Sequence, residues 1–194
     1  SERAKYIYIG RDGRDVVWSF YNHHVHANEG WYDLLNNTPG RVGPPIEPPV
    51  DDVVQYFRDW MDRDGYPLWS FWENIRTWWA CRALPNVHML HFDALKHDLP
   101  GEIRRIAAFL DIPIDESRWD AILEHCSFDY MKANAAKAAP LGGMFWHGGA
   151  ETFINKGVNG RWRDVLPEAD NRRYEALALE QLGPECSRWL ASGG

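Results

Sequence analysis

Positively charged residues occur close to glycines at two separate places in the sequence, and both patterns are typical of phosphate binding. Arg11 follows the apolar run YIYI of residues 6–9 and precedes an apolar-periodic helix that carries Ser19 near the same face. A helix that begins just after a strand presents unpaired backbone N–H groups and the positive end of its dipole. Because a guanidinium donates forked hydrogen bonds to a phosphate, this segment predicts a local anion site.

The second place is the run FINKGVNGRWR of residues 153–163. Here Lys156 is followed by Gly157 and, three residues later, by Gly160. A glycine has no Cβ, so backbone N–H groups can approach a phosphate closely, and the adjacent lysine supplies a positive charge. This run is therefore a second candidate for anion binding.

The composition of the 194-residue chain confines any anion site to a local feature. Hydrophobic residues make up 45% and charged residues 25%, which suits one domain, residues 1–194, with a sizeable core. The net charge of −7 disfavours a nucleic-acid partner. The three cysteines show no metal or disulfide spacing, and no run is long and apolar enough to span a membrane, so we expect a cytoplasmic protein without a metal.

Strand and helix patterns alternate along the chain and predict an α/β fold with a central parallel sheet flanked by helices. The predicted strands lie at residues 4–10 and 86–92, and the predicted helices at residues 13–27, 51–61, 68–84, 127–134 and 168–182, with further helix starts at Pro100 and Asp115. Residues 135–150 lack periodicity and are predicted to form a mobile loop or lid. Two strands are too few for a finished sheet, so we expect part of the fold to lie outside this chain.

These segments resemble those of the cytosolic-type sulfotransferase family, whose members transfer a sulfuryl group from 3′-phosphoadenosine 5′-phosphosulfate (PAPS) to an alcohol, phenol or amine and release the desulfated product, PAP. Arg11 and Ser19 match the family's 3′-phosphate-binding segment. Residues 153–163 match the family's loop F-M-R-K-G-x-x-G-D-W-K, in which the Arg, the Lys and the first Gly wrap the 3′-phosphate and the adenine ring. The resemblance implies five nucleotide-binding residues here, namely Arg11, Ser19, Asn155, Lys156 and Gly157.

Two further segments resemble parts of the family's nucleotide site. Residues 126–134, CSFDYMKAN, are similar to T-S-F-x-x-M-K-x-N, whose first residues line the adenine pocket, so the resemblance assigns Ser127 and Phe128 to that pocket. Residues 91–96, HFDALK, are similar to F-Y-E-D-M-K or H-Y-x-D-L-K, and Phe92 stands where a Tyr reaches the nucleotide. The matches run through almost the whole chain and imply a P-loop-like three-layer fold with PAPS as the cofactor.

The sequence departs from the family at several of these positions. Asn155 replaces the loop arginine with a neutral amide, so we expect a weaker hold on the 3′-phosphate, unless Arg161, at the position of the family's Asp, supplies the lost charge. Cys126 stands for a Thr and Phe92 for a Tyr, so each exchange removes a hydroxyl group, and Ala94 replaces a common Asp. These exchanges leave open a non-catalytic relative that keeps the fold and has lost the chemistry.

Two functional parts of the family's fold have no match in this chain. One is the strand–loop–helix that cradles the 5′-phosphosulfate, and the other is the histidine that deprotonates the acceptor. We therefore expect an N-terminal segment to be missing, the chain to form the C-terminal part of the fold, and none of its histidines to be catalytic. A P-loop nucleotide kinase relative is a further alternative, but kinases use neither the KGxxGxW nor the SFxxMKxN pattern.

The aromatic residues and the predicted lid bear on the acceptor. We predict a small, hydrophobic or aromatic acceptor, since a chain with eleven tryptophans can build an apolar pocket wall. The candidates for that wall are Trp31, Trp69, Trp72, Trp78 and Trp79. Core packing is the alternative role for these side chains. The lid at residues 135–150 is expected to cover the acceptor and to influence specificity.

Overall fold

Two parallel strands and eleven α-helices make up the part of the chain that the computed structural model describes, residues 3–65 and 69–193. The strands are β1 (Tyr6–Gly10) and β2 (Val87–His91). The helices are α1 (Gly13–Val25), α2 (Glu29–Asn36), α3 (Val53–Asp62), α4 (Phe71–Ala80), α5 (Phe92–His97), α6 (Leu99–Leu110), α7 (Trp119–Cys126), α8 (Phe128–Ala133), α9 (Ala135–Ala138), α10 (Gly149–Phe153) and α11 (Glu168–Ser192). Short 3-10 turns lie at Glu116–Arg118 and Pro140–Gly143. These elements confirm the predicted α/β class with a parallel sheet. Within the described ranges, no helix combines the length and the apolar character that crossing a membrane requires.

The two strands pair in parallel along their length and end with Gly10 opposite His91. Because parallel strands end at the same edge of a sheet, the segments that follow them start side by side. This register brings Arg11, after β1, close to Phe92, after β2: the guanidinium carbon lies 4.4 Å from the centre of the phenyl ring. Strand β2 ends one residue earlier than predicted, because Phe92 already belongs to α5.

Helix α1 begins at a buried cluster of polar groups that fixes the segment after β1. Asp12 is the N-cap, and its carboxylate accepts hydrogen bonds from the backbone N–H of Arg14 at 2.8 Å and from its guanidinium at 2.7 and 3.0 Å. The same guanidinium donates to Glu175 at 3.1 Å. The backbone N–H of Gly13 donates to the Tyr174 hydroxyl at 2.8 Å. These bonds tie the start of α1 to α11.

The hydrophobic core lies between α1, α3, α4 and α11. Its buried members are Val17, Trp18, Tyr56, Phe57, Trp60, Met61, Trp72, Ile75, Leu166, Tyr174, Ala178, Cys186 and Leu190. Each large apolar side chain buried there contributes about 1.5–3 kcal/mol. Burial in this core is what holds the cap of α1 and the strand ends at a fixed distance from one another.

Three of the five tryptophans predicted for the acceptor wall pack against other elements of the fold, whereas Trp69 is 61% exposed and lines a second cavity next to Ile9 and Gly10. Trp72 is 4% exposed and belongs to the core, so the alternative role of core packing is correct for it. Trp78 stacks on Tyr8, with 5.3 Å between the ring centres, and Trp79 packs against Trp189 at 5.3 Å. Large rings on α4 therefore serve to join this helix to β1 and α11.

Helix boundaries agree with the prediction where a local cap marks them. Asp52 accepts hydrogen bonds from two backbone N–H groups, and α3 begins at the next residue, as predicted. The helix predicted at residues 68–84 occupies only Phe71–Ala80, because the Ser70 side chain caps its start. The predicted first residue, Leu68, lies outside the described residues. No sequence pattern predicts α2 and α5, which are only 8 and 6 residues long.

Proline and glycine mark other boundaries, although not always as helix ends. Pro100 lies in the first turn of α6, as predicted. Gly183, which was expected to close the last helix with Pro184, has a non-helical φ of 73° and ψ of 172°, yet the chain then continues as helix to Ser192. The helix that begins at Glu168 is therefore interrupted at Gly183 as predicted, but it is not the last one, because a second helical segment follows. Gly183 divides α11 into two segments, and Pro184 suits the first turn of the second one because its missing N–H has no helical partner there.

The segment predicted to be an irregular, mobile lid, residues 135–150, is largely folded. It contains α9, a 3-10 turn and the start of α10. Trp146 forms an isolated antiparallel bridge with Ala27, just after α1, and its indole N–H donates to the His23 carbonyl at 3.1 Å. Three small side chains form a separate buried cluster, namely Ala135, Ala139 and Ala150. The alanines that hide periodicity in the sequence are what allow these short elements to pack closely.

Candidate functional site

A cleft of about 210 Å³ opens beside the carboxyl end of β1. Seven of the eight side chains or backbone positions predicted to bind nucleotide line it, namely Arg11, Ser19, Phe92, Phe128, Asn155, Lys156 and Gly157. Four separate parts of the chain contribute them: the segment of β1 and α1, the start of α5, the start of α8, and the loop after α10. The structure thus places these seven residues together, and their individual binding roles stay predictions.

Arg11 is held in the cleft by neutral partners. Its Nε donates to Asn159 Oδ1 at 3.1 Å, and a terminal nitrogen lies 3.4 Å from the carbonyl oxygen of Val158. Its guanidinium covers one face of the Phe92 ring. Burial lowers the pKa of Arg11, and two nearby carboxylates, of which Asp15 has the larger influence, oppose that shift. These contacts orient the guanidinium, and none of them is a direct ion pair.

Asp15 and Ser19 extend the same side of α1 into the cleft. Asp15 is 5% exposed and accepts a hydrogen bond from the backbone N–H of Gly160 at 2.7 Å, which fastens the loop to α1. Burial raises the pKa of Asp15, while the Gly160 hydrogen bond and the charge of Arg11 oppose the shift. Among the described residues, the Ser19 hydroxyl has no hydrogen-bond partner, so it is available to a ligand.

The loop after α10 passes directly against the ring of Phe128. Gly157 has a φ of +61°, and a Cβ at this position would lie 2.4 Å from the ring. Glycine is therefore required here both for the backbone conformation and for the close approach. Lys156 is exposed, and no described carboxylate pairs with its ammonium group, while Asn155 lines the cleft as a neutral amide.

Ser127 is the predicted residue that does not line the cleft. Its hydroxyl accepts a hydrogen bond from the Tyr130 backbone N–H at 3.1 Å and donates to the Glu124 carbonyl at 2.6 Å. A serine directly before a helix commonly takes this capping role. The side chain predicted to line the adenine pocket is thus occupied in fixing the start of α8, and it orients the neighbouring Phe128.

The remaining wall of the cleft is apolar and aromatic. Trp18, Phe153 and Ile154 line it, whereas none of the five tryptophans predicted for the acceptor does so. His23 also lines the cleft, with its ring centre 4.6 Å from that of Phe153. Burial lowers the pKa of His23, with a smaller contribution from the charge of His26, and its Nδ1 is buried without a partner in the described chain. This wall presents a neutral, mainly apolar surface to a ligand.

Two residues that organise the site, Asp15 and Asn159, were not among the predicted ones. The signal for Asp15 is its place in the first turn of α1, four residues after Arg11 in the segment already assigned to anion binding. Asn159 carries no comparable signal, because its partner Arg11 lies 148 positions away in the sequence. Its amide also donates to Asp93 at 3.2 Å, so it links three parts of the cleft.

The cleft combines positive charge with an aromatic surface. Three cations line the cleft, namely Arg11, Lys156 and Arg161. None of the three forms an ion pair with a described residue, although the chain has a net charge of −7. Cations without counterions in a partly buried cleft favour an anion. The ring of Phe128 adds a flat apolar surface of the kind that packs against a purine.

Comparison with known proteins identifies the family of the chain. The sequence matches the family described as sulfotransferase domain over residues 1–184. It is 27% identical over 213 residues to a glycolipid sulfotransferase of Mycobacterium tuberculosis, covering 99% of this chain and 65% of the relative. It is 28% identical over 176 residues to sulfotransferase 1A1 of Rattus norvegicus, covering 90% of this chain and 54% of the relative.

Solved structures show the same fold. Mouse sulfotransferase SULT7A1 complexed with PAP superposes with a TM-score of 0.73 at 22% identity, covering 96% of this chain and 61% of that chain. Retinol dehydratase in complex with androsterone and the inactive cofactor PAP gives a TM-score of 0.66 at 28% identity, covering 92% and 47%. The chain spans less than two thirds of the length of each of these proteins. Because the family match extends over nearly the whole sequence, the chain belongs to the sulfotransferase domain family.

Proposed function

We propose that the cleft binds PAPS and its product PAP, and that the protein containing this chain transfers a sulfuryl group from PAPS to a hydroxyl or amine of a small hydrophobic acceptor. The observation that carries the proposal is the presence of three cations without ion-pair partners beside the Phe128 ring in one cleft. Membership in the sulfotransferase domain family supports it, as does the PAP bound in two proteins of similar fold.

In this proposal the 3′-phosphate is held by Arg11, Ser19, Lys156 and the backbone around Gly157. The guanidinium and the ammonium attract the phosphate, and the serine hydroxyl donates a hydrogen bond to it. The absent Cβ at Gly157 lets the loop backbone lie close to the ligand as well as to Phe128. Asn155 contributes an amide donor that carries no charge.

The adenine ring is assigned to the aromatic part of the cleft around Phe128. The Phe92 ring has one face covered by Arg11, so we expect it to orient the guanidinium as well as to border the nucleotide. Ser127 acts at a distance, because it caps α8 and so fixes the position of Phe128 in the first turn of that helix.

When bound, PAPS supplies the activated sulfuryl group that is transferred. The residues of this chain contribute by holding the nucleotide in one orientation, since positioning accounts for much of the catalysis of group transfer. The apolar wall of Trp18, Phe153 and Ile154 borders the same cleft and excludes water from the acceptor side. The proposal assigns the base that deprotonates the acceptor to none of the histidines in this chain.

Calorimetric titration of PAP into the protein, with ATP as the control nucleotide, tests the proposed binding. PAP carries the 3′-phosphate and should bind more tightly than ATP. Arg11→Ala should weaken PAP binding roughly ten- to a hundredfold, the scale of a lost hydrogen bond to a charged group. Arg172→Ala, which removes an exposed arginine outside the cleft, should leave the affinity unchanged. Equal affinities for PAP and ATP would contradict the proposal.

A binding module without turnover is the second candidate, because the cleft holds the neutral Asn155 where the family carries an arginine. The two candidates differ in one measurement, the release of PAP from PAPS in the presence of a panel of phenols, alcohols and amines. Release that depends on an acceptor establishes a transferase. PAP-selective binding with no release for any acceptor, in a protein that includes the full domain, favours the binding module.

A further inference from the structure

We infer that Arg161 binds the 3′-phosphate of the nucleotide and replaces the positive charge that the loop lacks at Asn155. The inference rests on the proposed PAP site, and it adds a binding residue at a position where the sulfotransferase pattern has an aspartate. A guanidinium in place of a carboxylate at the edge of an anion site reverses the local charge, so the exchange strengthens rather than weakens attraction for a phosphate.

The path of the loop places Arg161 in the cleft with Arg11. Gly157 and Gly160 both have positive φ, +61° and +79°, which turns the chain sharply at two points. The backbone N–H of Gly160 is then anchored on Asp15 of α1 at 2.7 Å. Arg161 is the next residue after this anchor, and it lines the same cleft as Arg11. The position of Arg161 thus follows from a hydrogen bond that the loop makes with α1.

The electrostatics of the cleft show that the two guanidinium groups act on each other. Burial lowers the pKa of Arg11, the carboxylates of Asp15 and Asp12 oppose this, and the charge of Arg161 lowers the pKa further. Two cations that repel each other across a cleft are both stabilised when an anion lies near them.

Many arginines elsewhere in the described ranges pair with carboxylates. Ion pairs are formed by Arg14, Arg58, Arg76, Arg82, Arg104, Arg105, Arg172 and Arg173. Arg161 forms neither an ion pair nor a side-chain hydrogen bond with any residue in the described ranges, although it is only partly exposed. Asn155, six residues earlier, faces the same cleft without a charge. Arg161 thus carries, six residues further along the loop, the positive charge that Asn155 lacks.

The test compares two nucleotides that differ in the 3′-phosphate, PAP and adenosine 5′-monophosphate, by calorimetric titration into the same protein. Arg161→Gln should weaken PAP binding about tenfold or more and leave adenosine 5′-monophosphate binding nearly unchanged, because the lost donor is charged. Arg163→Gln is the matched control, since this arginine is exposed, lies two residues further on and does not line the cleft. Adding Asn155→Arg to Arg161→Gln should restore PAP affinity.

The outcomes separate this inference from the proposed function. If the unmodified protein prefers PAP and Arg161→Gln keeps that preference in full, the inference is wrong and the PAP site stands. If the unmodified protein does not distinguish the two nucleotides, the PAP site and the inference both fail. Should Arg161→Gln not fold, Arg161→Lys replaces it: loss of the forked donors should then lower PAP affinity a few-fold with no effect on adenosine 5′-monophosphate, and an unchanged ratio overturns the inference.

Discussion

Replacing Arg14 with methionine should destabilise the folded protein by about 3–5 kcal/mol, the scale found when one partner of a buried ion pair is removed. The Arg14 and Asp12 side chains are 7% and 8% exposed, and their closest nitrogen and oxygen atoms are 2.7 Å apart. Without the guanidinium, the Asp12 carboxylate stays buried and keeps the backbone N–H of Arg14 as its donor. Methionine retains part of the contact with the Trp162 ring, so the substitution removes the positive charge and changes the side-chain volume less. Urea denaturation should show a lower midpoint with an unchanged slope.

Two companion variants identify the cause of that loss. Arg172→Met removes an exposed pair with Glu168, whose side chains are 68% and 80% exposed, so it should cost only about 0.3–0.5 kcal/mol. Asp12→Asn, added to Arg14→Met, removes the stranded charge and keeps a side chain able to cap α1, so the double variant should be more stable than the single one. The reasoning is refuted if Arg14→Met costs no more than Arg172→Met, or if Asp12→Asn destabilises the protein further.

Two other predictions concern the loop and the response to acid. Gly157→Ala should cost about 1–2 kcal/mol because alanine disfavours the left-handed backbone, and its Cβ should also displace Phe128. The variant should therefore lose more stability and more PAP affinity than Gly149→Ala, because Gly149 has a φ of +66° but open space around it. Equal losses of the two variants in urea denaturation and PAP titration would show that the ring contact is unimportant. Burial lowers the pKa of three histidines from 6.5, namely His23, His24 and His91. The unfolded chain then binds more protons below pH 6.5, so the free energy of unfolding should fall on acidification by up to about 1.4 kcal/mol per pH unit for each ring. Unfolding free energies in urea that are no lower at pH 5.5 than at pH 7 would contradict this account.

The sequence predicts the elements of this fold best where a chemical signal marks their ends. Asp52 caps α3 and Pro100 lies in the first turn of α6, and both signals are local. Helix α2 is not predicted because its 8 residues are too short for a clear period, and part of its stability comes from contacts made after the chain has turned. Asn36, at its end, accepts a hydrogen bond from the backbone N–H of Ile46 at 2.7 Å and donates to the Ile46 carbonyl at 3.0 Å. Such contacts depend on the tertiary fold, and no local pattern reports them.

The residues of the candidate site likewise fall into those that a local sequence pattern predicts and those that it does not. Residues inside each matched segment, such as Lys156 and Phe128, are predictable because the chemistry of a motif resides in a few adjacent positions. The contacts that join the segments are not predictable, because Asp15 meets Gly160 across 145 residues of sequence. Ser127 shows a third case: its type suits both a helix cap and a ligand contact, and only the structure shows that the hydroxyl is used by α8.

Arg11 and Arg14 lie three residues apart in the RDGR segment, and the sequence alone gives no reason to assign them different roles. The structure separates them by the charge of their partners. Arg14 is 6% exposed and paired with Asp12 and Glu175, so it stabilises the start of α1 and retains no free charge for a ligand. Arg11 is oriented by the amide of Asn159 and a backbone carbonyl, which leave its charge uncancelled. Because an arginine that binds a phosphate has to be oriented without being neutralised, Arg11 is the member of this segment that is suited to the ligand.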